Sequence, residues 1–262
     1  MNQNLLVYTL LFVFLVTHIS CADRSKPNEV VIYAAASLSD VMTEVGEQYE
    51  DSTGVNVVFN FAGSNMLARQ IVAANGADLF LSANEEWMDY VQENQRIIPE
   101  SRVSLLSNSL VVIANRSEDI IVEEPEDLCT INIRFLALGN PDAVPAGRYA
   151  REWLRTISCG DQNAWELLES RVSPAPDVRA AMGLVESAAD IVGIVYRTDA
   201  AMSERVKVLH QVPKNQGPDI SYSLARLKKA PNPHQAEKFL EYLQGAAATQ
   251  LFEQFGFITR AG

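Results

Sequence analysis

Runs rich in β-branched and other apolar residues alternate with amphipathic runs along nearly the whole chain, and this alternation limits the possible folds more than any single motif does. Short apolar runs suit strands, and a period of about 3.6 residues suits helices, so a chain that keeps switching between them builds sheets covered by helices. The predicted strands are Val30–Ala35, Val55–Phe61, Leu79–Ser82, Leu110–Ala114, Ile131–Leu138, Ile191–Tyr196, Val206–Val212 and Ile220–Leu227. The predicted helices fall near Asp40–Tyr49, Met66–Ala74, Glu85–Asn94, Gly147–Ile157, Asn163–Glu169, Val178–Ser187, Pro233–Leu243 and Ala247–Phe255. The order reads as α/β with largely parallel strands. No fixed-period repeat or low-complexity segment interrupts it, and the Pro/Gly-bearing stretches Glu123–Pro125, Pro174–Pro176 and Pro213–Pro218 are of loop length.

The first 22 residues contain no Lys, Arg, Asp or Glu and centre on an apolar stretch from Leu5 to Val16, the pattern of a signal-peptide core. That stretch is shorter than the roughly 20 apolar residues a membrane span needs, so a cleaved signal and a soluble mature chain from about Asp23 are expected. Ser20-Cys21-Ala22 is a small-x-small cleavage site. A lipid-modified Cys21 would follow an aliphatic residue three places earlier, where His18 stands, which makes a lipoprotein the second reading. The net charge of −12 argues against nucleic acid or an anionic membrane surface as partner, since both call for basic patches. Cys129 and Cys159 are the cysteines left after such cleavage, and an exported chain meets disulfide-permissive conditions. A bridge between them is expected if Cys129 precedes a strand and Cys159 ends the helix that returns beside it; two buried free thiols are the alternative.

Four segments share a further feature: small residues end a strand or loop and a helix begins at once. They are Ala34-Ala35-Ala36-Ser37-Leu38-Ser39-Asp40, Phe61-Ala62-Gly63-Ser64-Asn65, Val144-Pro145-Ala146-Gly147 and Ala175-Pro176-Asp177-Val178. Ser37, Ser64 and Asp177 are natural N-cap residues, and Pro145 suits a first helical turn. Helix starts carry N–H groups without intrahelical partners and the positive end of the helix dipole, so several converging starts can hold an anion without a cationic side chain. Caps and small residues also occur at ordinary βα junctions, and the pattern alone leaves both readings open.

Several stretches in a fixed order carry a resemblance: Ala34-Ala35-Ala36-Ser37-Leu38, Ala68-Arg69-Gln70-Ile71, Ala77-Asp78-Leu79-Phe80-Leu81-Ser82-Ala83, Trp87-Met88-Asp89-Tyr90, Asn108-Ser109-Leu110-Val111-Val112, Val144-Pro145-Ala146-Gly147, Asp177-Val178-Arg179 and Gly193-Ile194-Val195-Tyr196. From Val30 to Phe257 the chain resembles the molybdate-binding proteins of ABC-type importers, a branch of the type II periplasmic binding proteins. The resemblance implies two α/β lobes, each a mixed sheet flanked by helices, with a ligand cleft between them. It implies a first lobe of residues 23–107 plus 219–262, a second of 108–218, and hinges at the two crossings. It also implies oxyanion contacts from Ser37 and Ser64 in the first lobe, and from the backbone of Ala146 and Val178 and the phenol of Tyr196 in the second. Asn65 stands where the family commonly has a serine, and Asn84 where it commonly has an aspartate.

On this reading the chain captures molybdate or tungstate outside the cytoplasmic membrane as a monomer, without a cofactor, and passes it to the membrane permease of an ABC importer. Another oxyanion or a sugar-type solute on the same fold is the alternative, as is a sensor that reports the ligand without transporting it. A serine hydrolase is disfavoured by the lack of a Gly-x-Ser-x-Gly elbow, and His210 and His234 have no metal-ligand spacing. Arg69 and Arg179 are expected to form structural salt bridges, Asp78 to support a loop or hinge, and Trp153 and Trp165 to belong to the core.

Overall fold

The computed structural model describes residues 28–260, so the expected signal segment and Cys21 lie outside the described residues. Along the chain the elements are β1 (Glu29–Ala35), α1 (Ser39–Thr53), β2 (Asn56–Ala62), α2 (Ser64–Ala73), β3 (Leu79–Ser82), α3 (Glu85–Glu93), β4 (Val103–Ser107) and β5 (Leu110–Asn115). There follow β6 (Phe135–Gly139), α4 (Pro145–Thr156), β7 (Ser158–Cys159), β8 (Gln162–Asn163), α5 (Ala164–Leu168), β9 (Val172–Ala175), α6 (Val178–Ser187) and β10 (Ile191–Tyr196). The last are α7 (Arg197–Ala201), β11 (Val206–Gln211), β12 (Tyr222–Arg226), α8 (Pro233–Leu243), α9 (Ala246–Gln254) and β13 (Ile258–Thr259).

Two larger sheets result. One runs β13-β4-β12-β3-β1-β2 and the other β11-β5-β10-β6-β9. The chain passes from the first to the second through Asn108 and Ser109 alone, between β4 and β5, and returns between β11 and β12. These passages set the strand directions. β1, β2 and β3 pair in parallel through helical crossovers, as do β10, β6 and β9. The strands next to the crossings run the other way: β12 is antiparallel to β3 and β4, and β5 is antiparallel to β10 and β11. The expectation of largely parallel strands therefore holds only within each βα run, because a strand that arrives from the other lobe enters the sheet from its opposite end.

The apolar runs are buried as their patterns require. All six residues of β10 are buried, and Leu110–Ala114 of β5 are at most 1% exposed, so both sit in the middle of their sheet. In α1, Val41, Met42, Val45 and Tyr49 share the buried face; Gly54, in the left-handed region at φ 68°, closes the helix by donating its N–H to Glu50 O at 2.8 Å. In α4 the buried residues include Ala146, Ala150, Trp153 and Leu154. Gly147 there packs backbone on backbone, for a Cβ would come within 1.8 Å of the Gly139 carbonyl oxygen.

Some expectations fail for local reasons. The strand predicted from Ile131 starts only at Phe135, since Arg171 Nη1 takes the carbonyls of Ile131 and Ile133 at 3.2 and 3.5 Å. Five strands, β4, β7, β8, β9 and β13, and the short helix α7 have no counterpart among the expected elements; β9 holds the exposed Pro174, tolerated because the strand lies at the sheet edge. Trp153 and Trp165 are 1% and 8% exposed and belong to the core. Asp78 is fully buried and accepts the N–H groups of Val31 and Asn232 at 2.8 and 2.6 Å, which ties β1 to the start of α8.

Cys129 and Cys159 form a disulfide with their Cα atoms 5.5 Å apart. The approach is not the strand-and-helix return expected: Cys129 ends a short 3₁₀ turn, Pro125–Cys129, and Cys159 lies in the β7–β8 hairpin. With the cysteines 30 positions apart in sequence, the loop-entropy model assigns the bridge about 3–4 kcal/mol. Replacing both cysteines by serine should lower the unfolding free energy in urea by about that amount; an unchanged midpoint would show that the unfolded chain gains nothing from release of the loop.

Candidate functional site

Four helix starts meet at one small cavity. Its wall consists of Ala35, Ala36 and Ser37 ahead of α1, Gly63 and Ser64 at α2, Val144, Pro145 and Ala146 at α4, Asp177 and Val178 at α6, Ala83 just after β3, and Tyr196 at the end of β10. The cavity thus lies beyond the carboxyl ends of strands from both sheets, where α/β folds leave a crevice. Ser37, Ser64, Ala146, Val178 and Tyr196, singled out from the sequence, all line it.

The helix starts explain the polarity of the wall. The opening N–H groups of a helix have no carbonyl one turn back, so those of α2, α4 and α6 are free to face a guest. Pro145 opens α4, where its missing N–H costs nothing. Asp177 caps α6 as expected, accepting from Ala180 N–H at 2.9 Å.

Ser37 and Ser64 do not cap. Ser37 lies inside a short 3₁₀ turn, Ala36–Leu38, and Gly63 occupies the cap position of α2. Both hydroxyls are instead engaged elsewhere: Ser64 Oγ accepts the Ala83 N–H at 3.0 Å, and Ser37 Oγ lies 3.1 Å from the Tyr222 hydroxyl. Ser64 stands one place past its cap, Gly63, and Ser37 one place before the cap of α1, Leu38, so neither hydroxyl is set to accept from its helix's opening N–H groups.

Tyr196 is 1% exposed, and its hydroxyl has no hydrogen-bond partner among the described residues. Burial, with Tyr222, Tyr149 and Asp199 nearby, pushes its phenol well above the ordinary value and keeps it protonated. An unpaired buried donor is costly, by about 1–3 kcal/mol, and a guest that accepts from it recovers that cost. Asn65, next to Ser64, also carries a buried Oδ1 without a partner. Asn84 caps α3 by accepting from Trp87 N–H at 3.2 Å.

Cations near the site are already engaged. Arg179 pairs with Asp40 across the lobes and approaches Asp199 with Nε 2.5 Å from Oδ1. Burial pushes the Asp199 carboxyl up, to about 7, against the pull of Arg179. Arg69 departs from the expected salt bridge and lies over the Trp87 ring, 5.7 Å from its centroid. Among the described residues no cluster of His, Cys, Asp and Glu could hold a metal ion.

The lobes meet around the cavity. Trp87 Nε1 donates to Ala143 O at 2.7 Å, and Arg148 pairs with Glu86. A Cβ on Gly63 would stand 2.7 Å from the carbonyl oxygen of Pro176 in the facing lobe. None of these contacts was predicted, because each joins residues far apart in the chain with no local pattern to mark them.

Two α/β lobes joined by two passages, with a donor-lined cavity between them, form the architecture of a protein that encloses a small solute. The chain belongs to the bacterial extracellular solute-binding protein family, whose model matches residues 30–258. It is similar to the molybdate-binding protein ModA of Escherichia coli (strain K12), at 38% identity over 248 residues and 93% of each chain. Among solved structures it resembles the periplasmic molybdate-binding protein of Azotobacter vinelandii, with a TM-score of 0.77 at 20% identity over 87% of this chain and 98% of that one. The sulfate-binding protein SubI of Mycobacterium tuberculosis H37Rv gives a TM-score of 0.76 at 15% identity over 87% and 86%. These two structures attest the fold alone, and their different ligands leave the choice of solute to the site.

Gly63 has ordinary extended dihedrals, so alanine is allowed there by the backbone; its Cβ would meet Asn65 Oδ1, a side-chain end that can turn aside, at 2.6 Å, and the fixed carbonyl oxygen of Pro176 at 2.7 Å. Gly63→Ala should leave both lobes folded and hold them apart. Small-angle scattering would record a larger radius of gyration with unchanged circular dichroism; the wild-type radius would show that the Pro176 loop yields.

Proposed function

We propose that the cavity captures a tetrahedral oxyanion, molybdate or tungstate, and that the chain delivers it to the membrane permease of an ABC importer. The observation that carries this reading is the buried, unpartnered Tyr196 hydroxyl facing a wall of serines and helix starts. In this reading Ser37 and Ser64 bind through hydroxyl and backbone N–H groups, Ala146 and Val178 through backbone N–H groups, and Tyr196 through its phenol. The chain acts as a binding protein and not as an enzyme. It works as a monomer outside the cytoplasmic membrane after signal cleavage, with lipid attachment at Cys21 as the alternative. Residues 23–107 with 219–262 form one moving lobe and residues 108–218 the other.

Neutral donors suit such a guest. In a closed cavity the local dielectric is low, so each N–H···O or O–H···O bond to an anion is strong, and no counter-charge has to be dehydrated with it. Arg179, which follows the cavity residue Val178, is held by two carboxylates and contributes little net charge. Ligand bonds to both lobes favour the closed arrangement by their differential affinity. The overall charge of −12 opposes approach of a dianion, so selectivity rests on short-range geometry and not on steering.

Geometry then discriminates by size. Donors fixed by helix starts cannot follow a smaller anion inward, and sulfate has shorter bonds to oxygen than molybdate. Two stretched bonds at about 1–3 kcal/mol each separate the ligands by orders of magnitude. Competitive calorimetry should rank molybdate and tungstate far above sulfate and phosphate; comparable affinity for sulfate and molybdate would overturn the molybdate reading. Tyr196→Phe, which deletes only the hydroxyl, should weaken molybdate binding by about 1–3 kcal/mol with the fold intact. Unchanged affinity would remove Tyr196 from the binding set.

A further inference from the structure

On the side of Ser37 away from helix α1, three polar side chains are sealed from water: Asn108, Thr198 and Tyr222, at 6%, 3% and 0% exposure. An amide and a phenol are costly to bury unless each is satisfied, so the direction of their hydrogen bonds can be worked out. The Ser109 N–H donates to Asn108 Oδ1 at 2.9 Å. A backbone N–H can only donate, and a reversed amide would set two donors against each other, so the orientation of Asn108 is determined. Its Nδ2 therefore donates, to Thr198 Oγ1 at 2.8 Å and to the Tyr222 hydroxyl at 3.3 Å.

Tyr222 has one proton, and burial pushes its phenol far up, so the proton stays on. Its other neighbour is Ser37 Oγ at 3.1 Å. If Ser37 donated to Tyr222, the phenol would accept twice and its own proton would have no acceptor. The arrangement that gives the phenol proton an acceptor has Tyr222 donating to Ser37. The Ser37 proton is then left for the cavity that Ser37 lines, as the Ser64 proton is once Ser64 Oγ has accepted from Ala83 N–H.

We propose that Asn108 and Tyr222 are positioning residues that fix the polarity of Ser37, so that it meets the ligand as a donor, and that this relay selects fully deprotonated oxyanions over those that retain a proton. The inference rests on the oxyanion reading of the cavity. The relay is also built from both chain passages: Asn108 follows β4 on the way out, and Tyr222 opens β12 on the way back. The polarity of Ser37 thus depends on the two passages lying side by side.

Asn108→Asp tests it by reversal. The carboxylate can still accept the Ser109 N–H, but it can only accept, so Tyr222 turns its proton toward residue 108. Ser37 must then donate to Tyr222 and present lone pairs to the cavity. The added charge opposes every dianion alike, so the readout is a ratio: the dissociation constants of molybdate and of hydrogen phosphate, both dianions at mildly alkaline pH, measured by competitive calorimetry. The ratio should move toward hydrogen phosphate by about tenfold or more, the effect of one misdirected hydrogen bond. Tyr222→Phe, which frees Ser37 without adding charge, should move it the same way by less, and it decides the matter alone if Asn108→Asp does not fold. Folded variants that weaken both anions equally would overturn the relay and leave the oxyanion site standing. A wild-type chain that binds neither anion would overturn the oxyanion reading and the relay with it.

Discussion

Backbone N–H groups at helix starts have nothing in their own helix to bond to, and four such starts face one another across a single cavity. The rest of the architecture follows from holding them there. Each start needs a strand that delivers it, so strands of both sheets end at the same place. Facing starts need two lobes that can meet, so the chain has to cross from one sheet to the other and return. The antiparallel strands at the crossings and the parallel strands elsewhere are two consequences of that one requirement.

Close approach then restricts the side chains around the cavity. Gly147 lies against the Gly139 carbonyl, and Gly63 faces the carbonyl of Pro176, leaving no room for a Cβ in either place. Alanines at 35, 36, 83 and 146 keep the backbone accessible in the same way. Larger side chains take up position outside this shell, where Trp87 and Arg148 join the lobes.

Charge is handled by pairing and not by attraction. The protein is strongly acidic, the Arg179 guanidinium is held between Asp40 and Asp199, and the cavity wall offers hydroxyl and N–H donors. In the proposed reading, hydrogen-bond direction carries more of the recognition than net charge does.

Much of this was legible in the chain. The apolar runs that became β3 and β10 and the helices α6 and α8 were read to the residue, because burial on both sides of a central strand and a regular apolar face on a helix leave a local signature. The four small-residue helix starts were equally plain, since they too are local. Their convergence was not, for spacing along a chain says nothing of which strand ends lie together, and it was family resemblance that drew the five site residues into one set. The cap positions at Ser37 and Ser64 were misread because one residue of helical phase, settled by Gly63 and by the 3₁₀ turn, decides where a hydroxyl points. Strand directions, the lobe contacts of Trp87 and Arg179, and the bonds from Asn108 through Tyr222 to Ser37 were decided by tertiary structure alone. Each depends on groups tens to more than a hundred residues apart, and only folding brings such groups within hydrogen-bonding distance.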